Sequence, residues 1–165
     1  MFEKHFDYVC HTLRRLGVQP ADLEDVAQGV FLAVLRRFDD YDPARPARPW
    51  LVAFAYRAAS NYRRSERRRP EEFPAEDSDR RLQVDGNASA EQADQKRDIQ
   101  RVLDQMSLEK KTVLLLFDVD GYTAPEIAEA LEISLNTVYS RIRLARSEFR
   151  TLGAELFASR GPTHG

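Results

Sequence analysis

Cysteine, histidine and long apolar runs are scarce in this chain of 165 residues, and each scarcity excludes a class of protein. A single cysteine, Cys10, excludes an intramolecular disulfide and favours a reducing cytoplasm. The three histidines, His5, His11 and His164, lack metal-ligand spacing, so we expect no metal and no other cofactor. No apolar stretch is long enough to cross a membrane, and the charged start MFEKHFDYVC differs from a secretory leader. We therefore expect no membrane insertion.

Signatures of catalysis are also missing from the sequence. It contains no P-loop, no GxSxG nucleophile motif and no paired catalytic carboxylates. Cys10 is adjacent to His11 in sequence, but it is expected to face the core, which leaves it unsuited to catalysis. The segment Asp118-x-Asp120-Gly121 lacks the other ligands of a calcium loop and is expected to form a polar turn between helices. We predict that the protein is not an enzyme.

The positive charge is concentrated in two places although the net charge is -2. Residues 1–69 hold 13 basic and 9 acidic side chains, 70–98 hold 4 and 9, and 99–165 hold 8 and 9. Six arginines fall within 54–69 and four within 141–150. Attraction to phosphate is local and screened by salt, so two such patches can bind nucleic acid on a slightly acidic protein.

Apolar periodicity divides the chain into two helical domains. We predict an all-α fold with one domain over 1–69, a flexible acidic linker over 70–98, a second domain over 99–152 and a tail over 153–165. The linker prediction depends on two prolines, many acidic and small polar residues, and almost no apolar periodicity.

Three helices are predicted in the first domain, over 3–16, 22–38 and 49 to about 68. The second helix leaves Asp25, Gln28 and Leu32 on a less apolar strip that suits contact with another protein. Its apolar face is expected to comprise Leu23, Val26, Ala27, Val30, Phe31, Val34, Leu35 and Phe38.

The third helix carries a polar and cationic stripe. Its members stand at steps of four, three and four, which places them on one helix face: Arg57, Asn61, Arg64 and Arg68. The loop before it, 39–49, contains three prolines and has no periodicity, as is common where recognition takes place on a rigid scaffold. A solvated helix end and a simple connector are the alternative interpretations.

The segment 121–150 predicts two short helices around a tight turn. Thr123 and Glu126 form a capping box, and Pro125 lies in the first turn. After a turn at 132–134, with Ser134 as N-cap, the second helix is expected to bury Leu135, Val138, Ile142, Ala145, Phe149 and Leu152. Its opposite face is small, polar and cationic and therefore suits a DNA major groove: Asn136, Ser140, Arg143 and Leu144, flanked by Thr137, Arg141, Tyr139 and Arg146.

Two groups of residues in this chain resemble one known family. The segment EDVAQGVF at 24–31, with Phe38-Asp39, Asp42-Pro43, Pro49-Trp50-Leu51 and Asn61-Tyr62-Arg63-Arg64, resembles conserved region 2 of the sigma-70 family. Residues 121–146 resemble its region 4. Because the linker is short and nothing resembles regions 1.1 or 3, the chain is similar to the extracytoplasmic-function (ECF) sigma factors.

The resemblance implies a transcription initiation factor that binds core bacterial RNA polymerase at its clamp and flap and directs it to promoters. It implies polymerase contacts by the second helix at Asp25, Gln28, Phe31 and Leu32. It implies that the opened -10 element is bound by Asp39, Trp50, Arg57, Asn61, Arg64 and Arg68. It implies that the -35 duplex is read by Asn136, Thr137, Ser140, Arg141, Arg143, Leu144 and Arg146. An anti-sigma factor is a further expected partner.

Some alternatives remain open at this point. Trp50 suits either an aromatic surface for a flipped base or a core anchor at the start of its helix. A stand-alone regulator could use the same helix-turn-helix, although it would usually need a dimer interface. An adaptor that binds polymerase without DNA would not need the two sets of arginines.

Overall fold

Seven α-helices form the described part of the chain, residues 2–68 and 89–160 of a computed structural model. They are α1 (Phe2–Arg15), α2 (Leu23–Arg36), α3 (Ala47–Arg68), α4 (Ala90–Gln105), α5 (Leu108–Leu114), α6 (Ala124–Leu131) and α7 (Leu135–Ser159). Short 3₁₀ turns lie on either side of α2, and a π-helical stretch, Leu115–Val119, continues α5. These ranges contain no strand, which confirms the predicted all-α fold.

The first helical unit, α1 to α3, packs around apolar faces of all three helices, and these include most of the face predicted for α2. Its buried core comprises Val9, Leu13, Leu16, Val18, Ala27, Val30, Phe31, Val34, Leu51, Phe54, Ala55 and Ala59. The prediction was wrong for Leu35 and Phe38, which are 68% and 47% exposed. Leu35 lies within α2 on the exposed face that also carries Leu32. Phe38 leaves the core face because α2 ends at Arg36 and a 3₁₀ turn follows at Phe38–Asp40.

The second helical unit, α4 to α7, starts earlier than predicted. Helix α4 begins at Ala90, because Ser89 and Gln92 form a capping box that satisfies free backbone amides of the first turn. Residues 90–98 of the predicted linker are therefore helical, and 70–88 lie outside the described residues. The motif S-x-x-Q at 89–92 was the sequence signal for this start.

Helix α7 also continues past the predicted end of the second domain. Residues 153–159 of the predicted tail are helical, and 161–165 lie outside the described residues. Leu152 and Leu156 pack against the core from this last part of α7. Arg160 then donates two hydrogen bonds to the Asp98 carboxylate, at 2.7 and 2.6 Å, which ties the end of α7 to α4.

The helix-turn-helix formed by α6 and α7 begins with the predicted cap. The Thr123 Oγ1 accepts from the Glu126 amide at 3.4 Å, and the Glu126 carboxylate accepts from the Thr123 amide at 2.8 Å. Ser134 caps α7 by accepting from the Thr137 amide at 3.1 Å. The intervening Glu132 has φ 56°, the left-handed conformation that ends many helices and usually requires glycine.

The predicted buried stripe of α7 is confirmed in its middle and wrong at its ends, because Phe149 and Leu152 are only half-buried. Val138, Ile142 and Ala145 are buried, whereas Leu135 is 41% exposed. Leu135 is the first residue of the helix. The stripe therefore anchors the middle of α7 and leaves its amino-terminal turn accessible.

We predict that Thr123→Ala destabilises the fold by about 1 kcal/mol, because it removes the side chain that caps α6. The measurement is the free energy of unfolding from a urea titration. Thr151→Ala is the matched control, since Thr151 lies inside α7 on an exposed face, where alanine is a better helix former. Equal losses in both variants would contradict a stabilising role for the cap.

The two helical units pack against each other and share apolar clusters. Val52 of α3 is buried at 3% exposure among Val113, Leu116, Ile127 and other side chains of the second unit. Polar contacts cross the same boundary: the Tyr8 hydroxyl donates to Asp120 Oδ2 at 2.7 Å. Burial and the neighbouring carboxylate both raise the pKa of Tyr8.

Lys111 of α5 is completely buried at this boundary. Its Nζ donates to the Leu103 carbonyl at 3.3 Å. Gly17, which has φ +100°, follows the end of α1 and lies directly beside the ammonium group of Lys111. Burial, reinforced by the charge of Arg63, lowers the pKa of Lys111 to about 8.

We predict that this lysine makes stability rise with pH. Between about pH 8 and its ordinary pKa of 10.5, the unfolded chain keeps the Lys111 proton that the folded chain has released. The free energy of unfolding therefore increases as pH rises through this window. Raised pKa values of Tyr8 and Tyr62 act in the opposite sense above about pH 10, where tyrosines of the unfolded chain ionise first.

The comparison with Lys111→Met isolates this effect, because the other titrating groups are common to both proteins. From about pH 7.5 to 9.5, the free energy of unfolding of the parent should rise by about 1.5 kcal/mol relative to the variant. Urea titrations across this range provide the measurement. Parallel pH profiles for the two proteins would show that the ammonium group is not desolvated.

Candidate nucleic-acid and protein-binding surfaces

Helix α7 presents a polar face at its amino-terminal half. Ser134 fixes the start of this helix, and the 2.7 Å contact between its hydroxyl and that of Thr137 orders the first turn. The predicted outward residues Asn136, Ser140, Arg143 and Leu144 are exposed, while the flanking Thr137 and Arg141 are half-buried. Tyr139, which the sequence places on the other flank, is 54% exposed and adds an aromatic side chain to this region.

Arg146 differs from the other predicted residues of α7 because it already has a carboxylate partner. Its guanidinium donates to both oxygens of Asp118, with Nε to Oδ2 at 2.8 Å, and it lies 5.3 Å from the centre of the Phe117 ring. The hydrogen bonds from Arg146 lower the pKa of Asp118. A phosphate would have to displace Asp118 to bind Arg146 in this way.

Helix α3 displays the predicted cationic stripe to solvent: Arg57, Asn61, Arg64 and Arg68 are all exposed. Arg57 lies 5.7 Å from the centre of the Phe54 ring and forms an ion pair with Glu132 at 3.2 Å. Arg64 reaches the Ser60 hydroxyl at 3.4 Å. Apolar residues on the opposite side of α3 fix the helix, so the orientation of the stripe is set by core packing.

Trp50 lies partly in an aromatic cluster and partly at the surface of a cleft. Its ring lies 4.9 Å from Tyr41 and 4.9 Å from Phe54, so one side is packed into an aromatic cluster. The side chain is only half-buried and also lines a cleft of about 400 Å³ between the first unit and α6. Arg37, Arg45 and Arg57 line the same cleft, and the first two were missed as individual candidates.

The loop before α3 is ordered by its own polar contacts. Asp42 Oδ1 accepts from the Ala44 amide at 2.9 Å, and Tyr41 donates to the Arg45 carbonyl at 3.2 Å. The predicted Asp39 lies exposed in the 3₁₀ turn that begins this segment. The loop therefore has a defined shape next to the cationic stripe of α3.

A separate face of α2 is exposed and apolar in its second half. Asp25, Gln28 and Leu32 lie on it as predicted, and Leu35 continues the same helical face. Leu32 and Leu35 are 57% and 68% exposed. The structure places Phe31 elsewhere, in the core, where its ring stacks on Phe6 at 6.0 Å, so its side chain supports α2 from below.

Residues 2–68 and 89–160 contain neither a candidate metal site nor a membrane-spanning helix. Within them, histidine, cysteine, aspartate and glutamate side chains form no group of three or more that could hold a metal ion. No helix in these ranges is long and apolar enough to span a membrane. Burial raises the pKa of the Cys10 thiol, which makes its thiolate less accessible.

Comparison with known proteins gives matches over both helical units. Residues 1–69 match the family description "Sigma-70 region 2", and residues 96–149 match "Sigma-70, region 4". RNA polymerase sigma factor NccH of Alcaligenes xylosoxydans xylosoxydans is 28% identical over 92% of this chain and 84% of its own length. ECF RNA polymerase sigma factor SigE of Mycolicibacterium smegmatis is 32% identical over 91% of this chain and 59% of its own length.

A solved structure shows that the fold is also shared. The sigma factor RpoE from Bartonella quintana, crystallised with the anti-sigma factor NepR, superposes with a TM-score of 0.66 over 92% of both chains, at 14% identity. The two matched regions include α3 with its cationic stripe and the helix-turn-helix of α6 and α7. The chain therefore belongs to the ECF group of the sigma-70 family.

Proposed function

We propose that this protein is a promoter-specificity subunit: it binds core RNA polymerase, directs it to -35 and -10 elements, and helps to open the DNA. The observation that carries this proposal is the presence of two separate polar, cationic helix faces on one chain, one in each family-matched region. One face follows a structured loop with a partly exposed aromatic cluster, and the other belongs to a helix-turn-helix. The polymerase would supply the chemistry.

The amino-terminal half of α7 suits duplex DNA. In helix-turn-helix proteins the first residues of the second helix contact base edges in the major groove. Asn136 and Arg143 carry the side chains that pair with adenine and guanine edges, and Leu144 offers an apolar contact to a thymine methyl group. We assign -35 recognition to this face. Ser140 lies on the face itself, and Thr137 and Arg141 lie on its flank.

Helix α3 and the preceding loop suit an opened strand. Arg57, Arg64 and Arg68 would follow its phosphates, and Asn61 adds a hydrogen-bonding amide between them. The aromatic cluster around Trp50 offers a stacking surface beside Asp39 and the loop. Stacking is worth about 1–3 kcal/mol per base, which offsets a large part of the cost of unpairing.

The exposed face of α2 suits a protein partner. Leu32 and Leu35 form an apolar patch beside the polar side chains of Asp25 and Gln28, a composition that is common in specific interfaces. We assign core polymerase to this face and place the protein in the cytoplasm with its polymerase. By analogy with the complex of RpoE and NepR, an anti-sigma factor is the second proposed protein partner.

A gel-shift assay with duplex DNA that carries candidate promoters tests this proposal. The protein with core polymerase should give a specific complex that survives competitor DNA, whereas the protein alone should bind weakly. Strong specific binding by the protein alone would favour a stand-alone regulator. Specific polymerase binding that never changes DNA selection would favour an adaptor, and each of these results would overturn the proposal.

A further inference from the structure

An acidic edge of α6 faces the cationic surface of the first unit. It consists of Glu126, Glu129 and Glu132, which stand at steps of three and line one side of the cleft of about 400 Å³. The opposite side carries Arg37, Arg45 and Arg57 together with Trp50 and Phe54. Carboxylates from the helix-turn-helix thus meet guanidinium groups from the surface proposed for the opened strand.

Two ion pairs connect these sides directly. The Arg45 guanidinium pairs with the Glu129 carboxylate, and Arg57 Nη2 lies 3.2 Å from Glu132 Oε2. Arginine binds carboxylate and phosphate with the same forked arrangement of N–H donors. The glutamates therefore hold positions at which phosphates of a bound strand could pair with the same arginines.

Other contacts between the two units hold them in this arrangement. Val52 of α3 is buried among apolar residues of the second unit, and Tyr8 donates to Asp120 at 2.7 Å. Glu132 also takes the left-handed conformation in which glycine is the usual residue. Glu132 thus occupies a backbone conformation that is strained for a residue with a side chain, and its carboxylate reaches Arg57.

We propose that the acidic edge of α6 substitutes for the phosphates of the opened promoter strand and blocks its binding surface while the two units are packed together. This inference rests on the function proposed above for α3 and the loop. Binding of the strand requires an open state in which α6 has moved away from α3. The apparent affinity for single-stranded DNA is then reduced in proportion to the fraction of open molecules.

The test compares Glu129→Gln/Glu132→Gln with the parent in the full chain. The probe is a fluorescein-labelled pool of single-stranded DNA of random sequence, and anisotropy gives its dissociation constant without polymerase. Loss of two exposed ion pairs should tighten binding about three- to tenfold, because it raises the open fraction. Amide hydrogen exchange in α6 should increase in the same variant.

The matched control is Glu91→Gln/Glu155→Gln, which changes the net charge equally at exposed positions of α4 and α7. It should bind the probe within about twofold of the parent, since general charge effects are weak at physiological salt. Equal affinities of the two double variants would overturn the inference. Transcription with core polymerase is measured separately. If the parent directs promoter-dependent transcription and the two double variants bind single-stranded DNA equally well, only the inference fails. If the parent directs none, the proposed function fails and the inference fails with it.

Discussion

Promoter-dependent transcription is expected to fall about 30-fold or more when Asn136 and Arg143 are both replaced by alanine. Each side chain can make a bidentate contact with a base edge, and such a contact is worth about 1–3 kcal/mol of discrimination. Both lie exposed in the amino-terminal half of α7, away from its buried stripe, so the variant should fold normally. Binding to core polymerase should be unchanged, because α2 is untouched.

The control for this prediction is Arg150→Ala on the same helix. Arg150 is exposed and carries the same charge, but it lies about 10 Å further along α7 from Arg143. Recognition helices read bases with their amino-terminal residues, so this change should cost less than about threefold. The assay is multiple-round transcription from a promoter with a defined -35 element. Equal losses for the two variants would mean that α7 contributes charge and no base contacts.

Affinity for core polymerase is expected to fall about 100-fold in Leu32→Asp/Leu35→Asp. Burial of a leucine side chain is worth about 1.5–3 kcal/mol, and a carboxylate at the centre of an interface adds a desolvation cost. The single variant Leu32→Asp should lose about tenfold. Both side chains point away from the core, so helix content and the free energy of unfolding should change little.

The matched control here is Ile99→Asp on α4, a side chain that is 50% exposed and has no proposed partner. It should bind core polymerase like the parent. The measurement is equilibrium binding of labelled protein to purified core enzyme. If the α2 variants bind normally, the exposed face of α2 is not the polymerase site.

Local signals predicted most helices of the fold well. The Thr123 and Glu126 cap, most of the apolar face of α2 and the buried middle of α7 are properties of short segments, and all appear in the structure. The start of α4 at Ser89 was missed because the acidic composition of its surroundings outweighed a valid capping motif. The end of α7 was missed because its contacts, such as that of Arg160 with Asp98, join residues far apart in sequence.

The candidate sites were predictable where they depend on one helix and unpredictable where they depend on packing between helices. The stripe of α3 and the outward face of α7 follow from a repeat of 3.6 residues. The ion pairs of Arg45 and Arg57 with α6 could not be predicted, because no local pattern tells which helix a distant glutamate faces. The buried Lys111 is a similar case, since lysine is normally expected at the surface.

Run-off transcription with purified core RNA polymerase and a library of genomic templates tests the central claim most directly. The 5′ ends of the transcripts are mapped with core enzyme alone, with the parent protein and with Asn136→Ala/Arg143→Ala. We expect the parent to produce defined start sites that share two upstream elements, and the variant to lose most of them. A transcript pattern identical to that of core enzyme alone would contradict the assignment of this protein as a promoter-specificity subunit.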